Sequence, residues 1–315
     1  MNSAATTRSA RITMRVDRVR APHTTLRSVI PPVPRSAKLE LTARCDLGCY
    51  FCASHTRVRT KADMTFERYR RLARELRDCG VEQLGLFYIG ESFLYDALPD
   101  AIRYAKEECG YPYVFLTTNG LKTTPERVRE CMLAGLDSLK FALNWASGEQ
   151  FEAVTGRPAI HYASILRNLE AARSVREDVQ HETGHRCAVY ASSLSYDGDQ
   201  CERMAPVLSR IAPCVDEHYW LPLVGHAATP ADDTGRPVPV KPLPCGPLFT
   251  EAHVTWDGHL CACSLDASPR FHMADLNATS FKTAWHSAAF QRLRSAHLAA
   301  DVRGAVCSQC IAYRE

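Results

Sequence analysis

Cys45, Cys49 and Cys52 stand in a CxxxCxxC spacing directly after the apolar run Leu39 to Leu41. Thiolates are the donors of iron–sulfur clusters. A [4Fe-4S] cube normally takes four of them, so three on one short loop leave one iron open to a small molecule. A second group lies near the C-terminus: Cys245, then twelve residues to Gly258, four more to Cys263, and a closing Cys307-x-x-Cys310. The chain has 14 cysteines in 315 residues and no apolar segment after its N-terminus that would direct secretion. In a reducing cytoplasm that number reads as metal or cluster ligands more readily than as disulfides. A Cys₃His zinc site that adds His55 to the first group is the competing reading, because Cys52 and His55 have ligand-like spacing. Cys79, Cys109, Cys131 and Cys187 read as small core residues, and Cys201 and Cys214 have no partner at motif spacing.

The elements that must position these groups follow from hydrophobic period. Short apolar runs at Leu39 to Leu41, Leu84 to Ile89, Tyr113 to Thr117, Leu139 to Leu143, Cys187 to Ser192 and His218 to Leu221 read as strands. Helix-period segments lie between them: Thr65 to Asp78, Leu98 to Glu108, a helix opened by Pro125 and closed at Gly135, Ile160 to Ser174, and Cys201 to Ile211. Strand-then-helix repetition predicts an α/β fold, a partial (β/α)6 TIM-like barrel whose site lies at the C-terminal ends of its strands. The expected organisation is an N-terminal arm at 1–37, the barrel at 38–224, a Pro- and Gly-rich linker at 225–244, and a small cysteine-rich α+β module at 245–315. That module opens with a hairpin, Ala252 to Trp256 and His259 to Cys263 around Asp257-Gly258, and continues with a helix from Thr283 to Ala299.

The three-cysteine loop after a first barrel strand resembles the radical S-adenosylmethionine (radical SAM) superfamily. The resemblance implies that Cys45, Cys49 and Cys52 hold a [4Fe-4S] cluster whose open iron is chelated by SAM, and that one-electron reduction yields a 5′-deoxyadenosyl radical. It carries over to further residues. Phe51 takes the aromatic place beside the last cysteine, with its backbone against the adenine. Gly90-Glu91 stands where the family receives the SAM ammonium, although Ile89 replaces the first glycine of that stretch. Asn119 lies in a Thr-Asn-Gly turn shared with the family, Asn144 is placed toward the ribose, and Arg157 toward a carboxylate of SAM or substrate. Taken alone, Glu91 reads more often as a solvated loop acid and Arg157 as a surface residue. The second cysteine group is similar to the twitch half of a SPASM domain. This implies a second, auxiliary [4Fe-4S] cluster on Cys245, Cys263, Cys307 and Cys310, with Cys261 as the substitute for Cys263 and a structural zinc as the alternative occupant.

Composition excludes other classes. Lys and Arg number 38 against 35 Asp and Glu, a net +3 with no long run of one sign, so no nucleic-acid partner is expected. No membrane partner is expected either, since no apolar stretch reaches the length of a span. Only about 37 residues precede the first strand, from which no leader-peptide-binding domain is expected. The family resemblance then points to small antibiotic-pathway enzymes with sugar or nucleoside substrates and a flavodoxin or ferredoxin as electron donor. Hydrogen abstraction from a sugar-ring carbon leads to decarboxylation of a nucleoside uronic acid, as in cytosylglucuronate decarboxylases. The runner-up is oxidation of a secondary alcohol in an aminocyclitol or aminoglycoside. A non-catalytic zinc protein is the alternative from another class. For a uronic acid, Arg157 or Lys140 is the cation expected to orient the carboxylate.

Overall fold

Buried and half-buried residues alternate along Tyr113–Thr118, where Val114, Leu116 and Thr118 are sealed from solvent and Tyr113, Phe115 and Thr117 are not. Ser138–Ala142 shows the same period, with Leu139 and Phe141 in the core and Lys140 on the other face. Such a sheet has one face packed on helices and one turned to a different environment.

The computed structural model describes residues 27–52, 54, 60–196, 198–222, 244–264 and 269–309. Six strands pair in parallel in chain order: β1 (Ser36–Leu39), β2 (Gln83–Gly85), β3 (Tyr113–Thr118), β4 (Ser138–Ala142), β5 (Ala188–Ser195) and β6 (Glu217–Pro222). The crossovers are α1 (Phe66–Asp78), α2 (Leu98–Arg103), α3 (Pro125–Leu133), α4 (Gly148–Thr155) with α5 (Ile160–Thr183), and α6 (Gln200–Ile211). Local chemistry fixes their starts: the hydroxyls of Thr65, Thr124 and Ser147 accept from the amides of Arg68, Arg127 and Gln150. The fold is α/β, a parallel partial barrel, as expected.

The C-terminal segment adds α7 (Pro247–Thr250), β7 (Glu251–Val254), β8 (His259–Cys261), β9 (His272–Asp275), α8 (Phe281–Trp285) and α9 (Ala288–Leu298). Here β7 pairs in parallel with β1, and β8 and β9 follow antiparallel, so among the described residues one nine-stranded sheet runs through both parts. The arm is tied to this end as well. Trp285 Nε1 donates to the Pro32 carbonyl at 3.1 Å, and His286 Nε2 lies 2.9 Å from that of Pro31.

Several boundaries differ from expectation. The helix expected from Thr283 to Ala299 is two helices, because Ser287 accepts from the Phe290 amide and restarts the chain as a second N-cap. The helix at Ile160 runs on to Thr183, where left-handed Gly184 ends it. The Leu98 helix changes to a π-helical turn at Tyr104–Glu108. The helix at Gly148 and the strand at His272 were not anticipated. Apart from Pro244, the linker expected at 225–244 lies outside the described residues, as do His55 and Cys310.

Candidate active site

The loop after β1 carries Cys45, Cys49 and Cys52, all half-buried, and it is fastened from two sides. The Glu91 amide donates to the Arg44 carbonyl at 2.8 Å, while the amides of Gly48 and Tyr50 donate to Thr155 and Val154 at the end of α4. Gly90 is required where it stands: a Cβ there would lie 1.9 Å from the Thr42 carbonyl oxygen, so only glycine lets the two loops lie backbone to backbone. At the other side Gly156, with φ of +67°, ends α4 and turns the chain so that exposed Arg157 donates from Nε to the Asp46 carbonyl at 2.6 Å.

Glu91 is buried above the ends of β2 and β3. Its Oε1 accepts from the Phe93 amide at 3.1 Å and the Thr118 hydroxyl at 2.8 Å, and its Oε2 accepts from the Asn119 amide at 2.7 Å. Burial pushes its carboxyl up to about 7, against the pull of these donors, and the nearby Asp46 carboxylate adds to the rise. The Asn119 side-chain amide donates to Asp46 Oδ1 at 2.7 Å and lies 3.9 Å from Cys45 Sγ. Thus Cys45, Asp46, Glu91 and Asn119, far apart in sequence, meet at one rim.

Asp46 was not among the expected site residues, and Thr118 was expected only as part of the Thr-Asn-Gly turn. The legible signal for Asp46 was an acid inside the cysteine loop. Burial pushes the Cys45 thiol up to about 12, with Glu91 adding to the rise, and raises Cys49 as well, with Cys52 and Cys45 next in effect. Three half-buried thiols beside two carboxylates form a place for cationic iron, which displaces thiol protons on binding. Asp46 Oδ2 and Ser54 Oγ are also buried without a hydrogen-bond partner, so the rim has acceptors to spare for a ligand that brings donors. Among the described residues no three such side chains gather tightly enough for a single metal ion; a cube spreads its thiolates over separate irons.

Phe51 and Asn144 meet through a residue that motif reading missed. The Phe51 ring packs 5.3 Å from that of Tyr196, whose hydroxyl donates to the Asn144 carbonyl at 2.6 Å. The Asn144 side chain accepts from the Leu194 amide at 2.9 Å, so it ties β4 to β5. His218 faces away from the barrel interior, 3.0 Å from the Ser193 hydroxyl.

Below the rim, register partners share a face: Thr117 pairs with Lys140, Lys140 with Tyr190, and Ser192 with Tyr219. Lys140 feels the charges of Lys38 and Glu251 on β1 and β7, three and four places away in sheet order, so the sheet curls around this face. Lys38 Nζ donates to Glu251 Oε2 at 2.9 Å. Burial alone would push the Glu251 carboxyl up, but Lys38 and His253 outweigh it and hold it well below the usual carboxylate range.

In the second cysteine group, Cys245, Cys263 and Cys307 are half-buried and Cys261 is buried within β8. The Cys245 amide donates to Nδ1 of His297 at 3.2 Å. Burial pulls that imidazole down to about 4, which keeps it neutral and able to accept. The Tyr88 hydroxyl donates to the Cys263 carbonyl, joining the loop after β2 to this group.

Residues 39–186 match the Radical SAM superfamily, and residues 245–311 match SPASM, an iron-sulfur cluster-binding domain. The chain carries a radical SAM domain. Its cofactors are SAM with a [4Fe-4S] cluster and an auxiliary cluster. Among relatives of this radical SAM protein, a PqqA peptide cyclase from Streptomyces rochei is 33% identical over 143 residues, covering 45% of this chain and 37% of that protein. A probable GTP 3′,8-cyclase from Archaeoglobus fulgidus is 29% identical over 145 residues, covering 45% and 46%. The matched stretch therefore spans less than half of either relative. The crystal structure of BtrN in complex with AdoMet and 2-DOIA has a TM-score of 0.57 at 15% identity, over 88% of this chain and 91% of BtrN, a likeness of fold.

Proposed function

We propose that this radical SAM enzyme takes hydrogen from a ring carbon of a small sugar-bearing molecule, and that the outcome is decarboxylation of a nucleoside uronic acid. In this reading Cys45, Cys49 and Cys52 hold the SAM cluster, and Glu91 and Asp46 meet the SAM ammonium, with Asn119 at the SAM site orienting both carboxylates. Phe51, Asn144 and Arg157 shape the rest of the cofactor rim, and Cys245, Cys263, Cys307 and Cys310 hold the auxiliary cluster. When bound, SAM on its cluster supplies a one-electron cleavage and a primary radical able to abstract hydrogen.

The observation that carries the reading is the curled face below the rim, lined by Thr117, Tyr190, Ser192, Tyr219 and Lys140. Hydroxyls and a cation suit a polyhydroxylated substrate bearing negative charge. The fold shared with BtrN, solved with AdoMet and 2-DOIA, favours a second reading, oxidation of a secondary alcohol in an aminocyclitol or aminoglycoside. We further infer a reducing cytoplasmic setting, supported by the cysteine content, and a flavodoxin or ferredoxin as the donor of the single electron that the SAM cluster requires. No helix among the described residues is long and apolar enough to cross a membrane.

The test is an anaerobic assay of cluster-reconstituted enzyme with SAM, a uronic acid nucleoside and aminocyclitols. Decarboxylation gives a product about 44 mass units lighter and dehydrogenation one about 2 lighter. A 2-unit loss from an aminocyclitol, without turnover of the uronic acid, replaces the first reading by the second.

A further inference from the structure

Two lysines reach the inside of the barrel, and they differ in one respect. Lys38 is neutralised by Glu251 at 2.9 Å and its ammonium also lies 5.6 Å from the centre of the Phe87 ring. Lys140 makes no ion pair or hydrogen bond among the described residues; its ammonium lies 5.8 Å from the centre of the Tyr219 ring. Burial and the charge of Lys38 pull its pKa down to about 8, yet the residue keeps some accessible surface. With Lys38 paired to Glu251, Lys140 is the cation left on β4, and the carboxylate of this face nearest to it in register, Glu217 on β6, stands two strands away.

Its depth is set by register. Lys140 lies beside Thr117, two residues before Asn119 at the rim, which places it about 7 Å further into the barrel at the usual rise of a strand. Arg157, the other cation expected to meet a substrate carboxylate, is exposed and donates to the Asp46 carbonyl outside this space.

We infer that Lys140 is the anion-binding residue of the substrate cavity: its ammonium holds an anionic oxygen group, a carboxylate on the reading above, at the floor of the barrel while the reacting carbon stays nearer the rim. The inference rests on the proposed small-molecule function, and the same contact would serve a phosphate.

The experiment uses reconstituted holoenzyme with SAM, without oxygen or reductant, and measures binding of three probes: glucuronosylcytosine, neutral glucosylcytosine, and the 6-phosphate of the latter. Wild type should bind an anionic probe at least about tenfold more tightly than the neutral one, the size of a charge-assisted hydrogen bond. Lys140→Met should erase that preference with little effect on the neutral probe, and Lys140→Arg should keep most of it. A preference for the phosphate that depends on Lys140 supports the inference while removing the uronic acid reading. Equal binding of all three probes by wild type, no binding of any, or an anion preference that survives Lys140→Met overturns it. Anion-induced thermal stabilisation, measured on the same three proteins, should be present in wild type and lost in Lys140→Met, which gives a reading independent of the titrations.

Discussion

Glu91 holds three internal donors, so its carboxylate is oriented before any ligand arrives. Glu91→Gln keeps the shape but places an amide NH₂ against either the Asn119 amide or the Phe93 and Thr118 donors. It should therefore lower SAM affinity at least about tenfold and reduce unfolding stability by about 1–3 kcal/mol. Equilibrium dialysis and urea denaturation check the two effects separately, and an unchanged dissociation constant would return Glu91 to a purely structural role. Lys140 carries the opposite kind of signature. Its folded pKa of about 8 lies below the ordinary 10.5 of a lysine, pulled down by burial and Lys38 against the opposing charge of Glu251. Between those values the unfolded chain binds more protons, so this group makes stability rise with pH across that window. Lys140→Met should therefore stabilise the protein at pH 7, and the gain should shrink as pH climbs from about 8 toward 10.5. Thermal melts of both proteins across that range measure it.

At the scale of elements, two loops are expected to carry separate clusters. Replacing Cys45, Cys49 and Cys52 together by Ala should abolish 5′-deoxyadenosine formation and lower bound iron from about eight to about four, as loss of one of two cubes requires. Single replacements in Cys245, Cys263, Cys307 and Cys310 should disturb the other four. Full iron in Cys263→Ala with loss in Cys261→Ala would move the ligand from the loop into β8. The cysteine spacings, Gly90-Glu91 and the Thr118-Asn119-Gly120 turn were legible because each is a local run. The joining of Asp46 to Asn119, and of Phe51 through Tyr196 to Asn144, was not, because those contacts close across strands 50 or more residues apart. Strand β9, four half-buried residues without alternation, left no period to read. The split between α8 and α9 turned on one serine, Ser287, whose hydroxyl competes with the helix ladder.

Across the whole molecule, the parallel pairing of β1 with β7 makes the C-terminal segment part of the barrel's own sheet. A chain ending at residue 244 should lose more than its auxiliary cluster. Its β1 would present an unpaired edge, and it should form aggregates that size-exclusion chromatography separates from full-length protein. Recovery of a monomer that still cleaves SAM would show that the barrel closes without β7. The same pairing sets a schedule during synthesis. β1 leaves the ribosome early, but its second neighbour follows only at residues 251–254, about 10–40 s later at ~5–20 residues per second. For that interval the strand that leads into the cysteine loop has one bare edge. Iron loaded before translation has passed residue 254 would therefore enter a loop whose supporting strand is still open on one side, so cluster insertion is expected after β7 has been made.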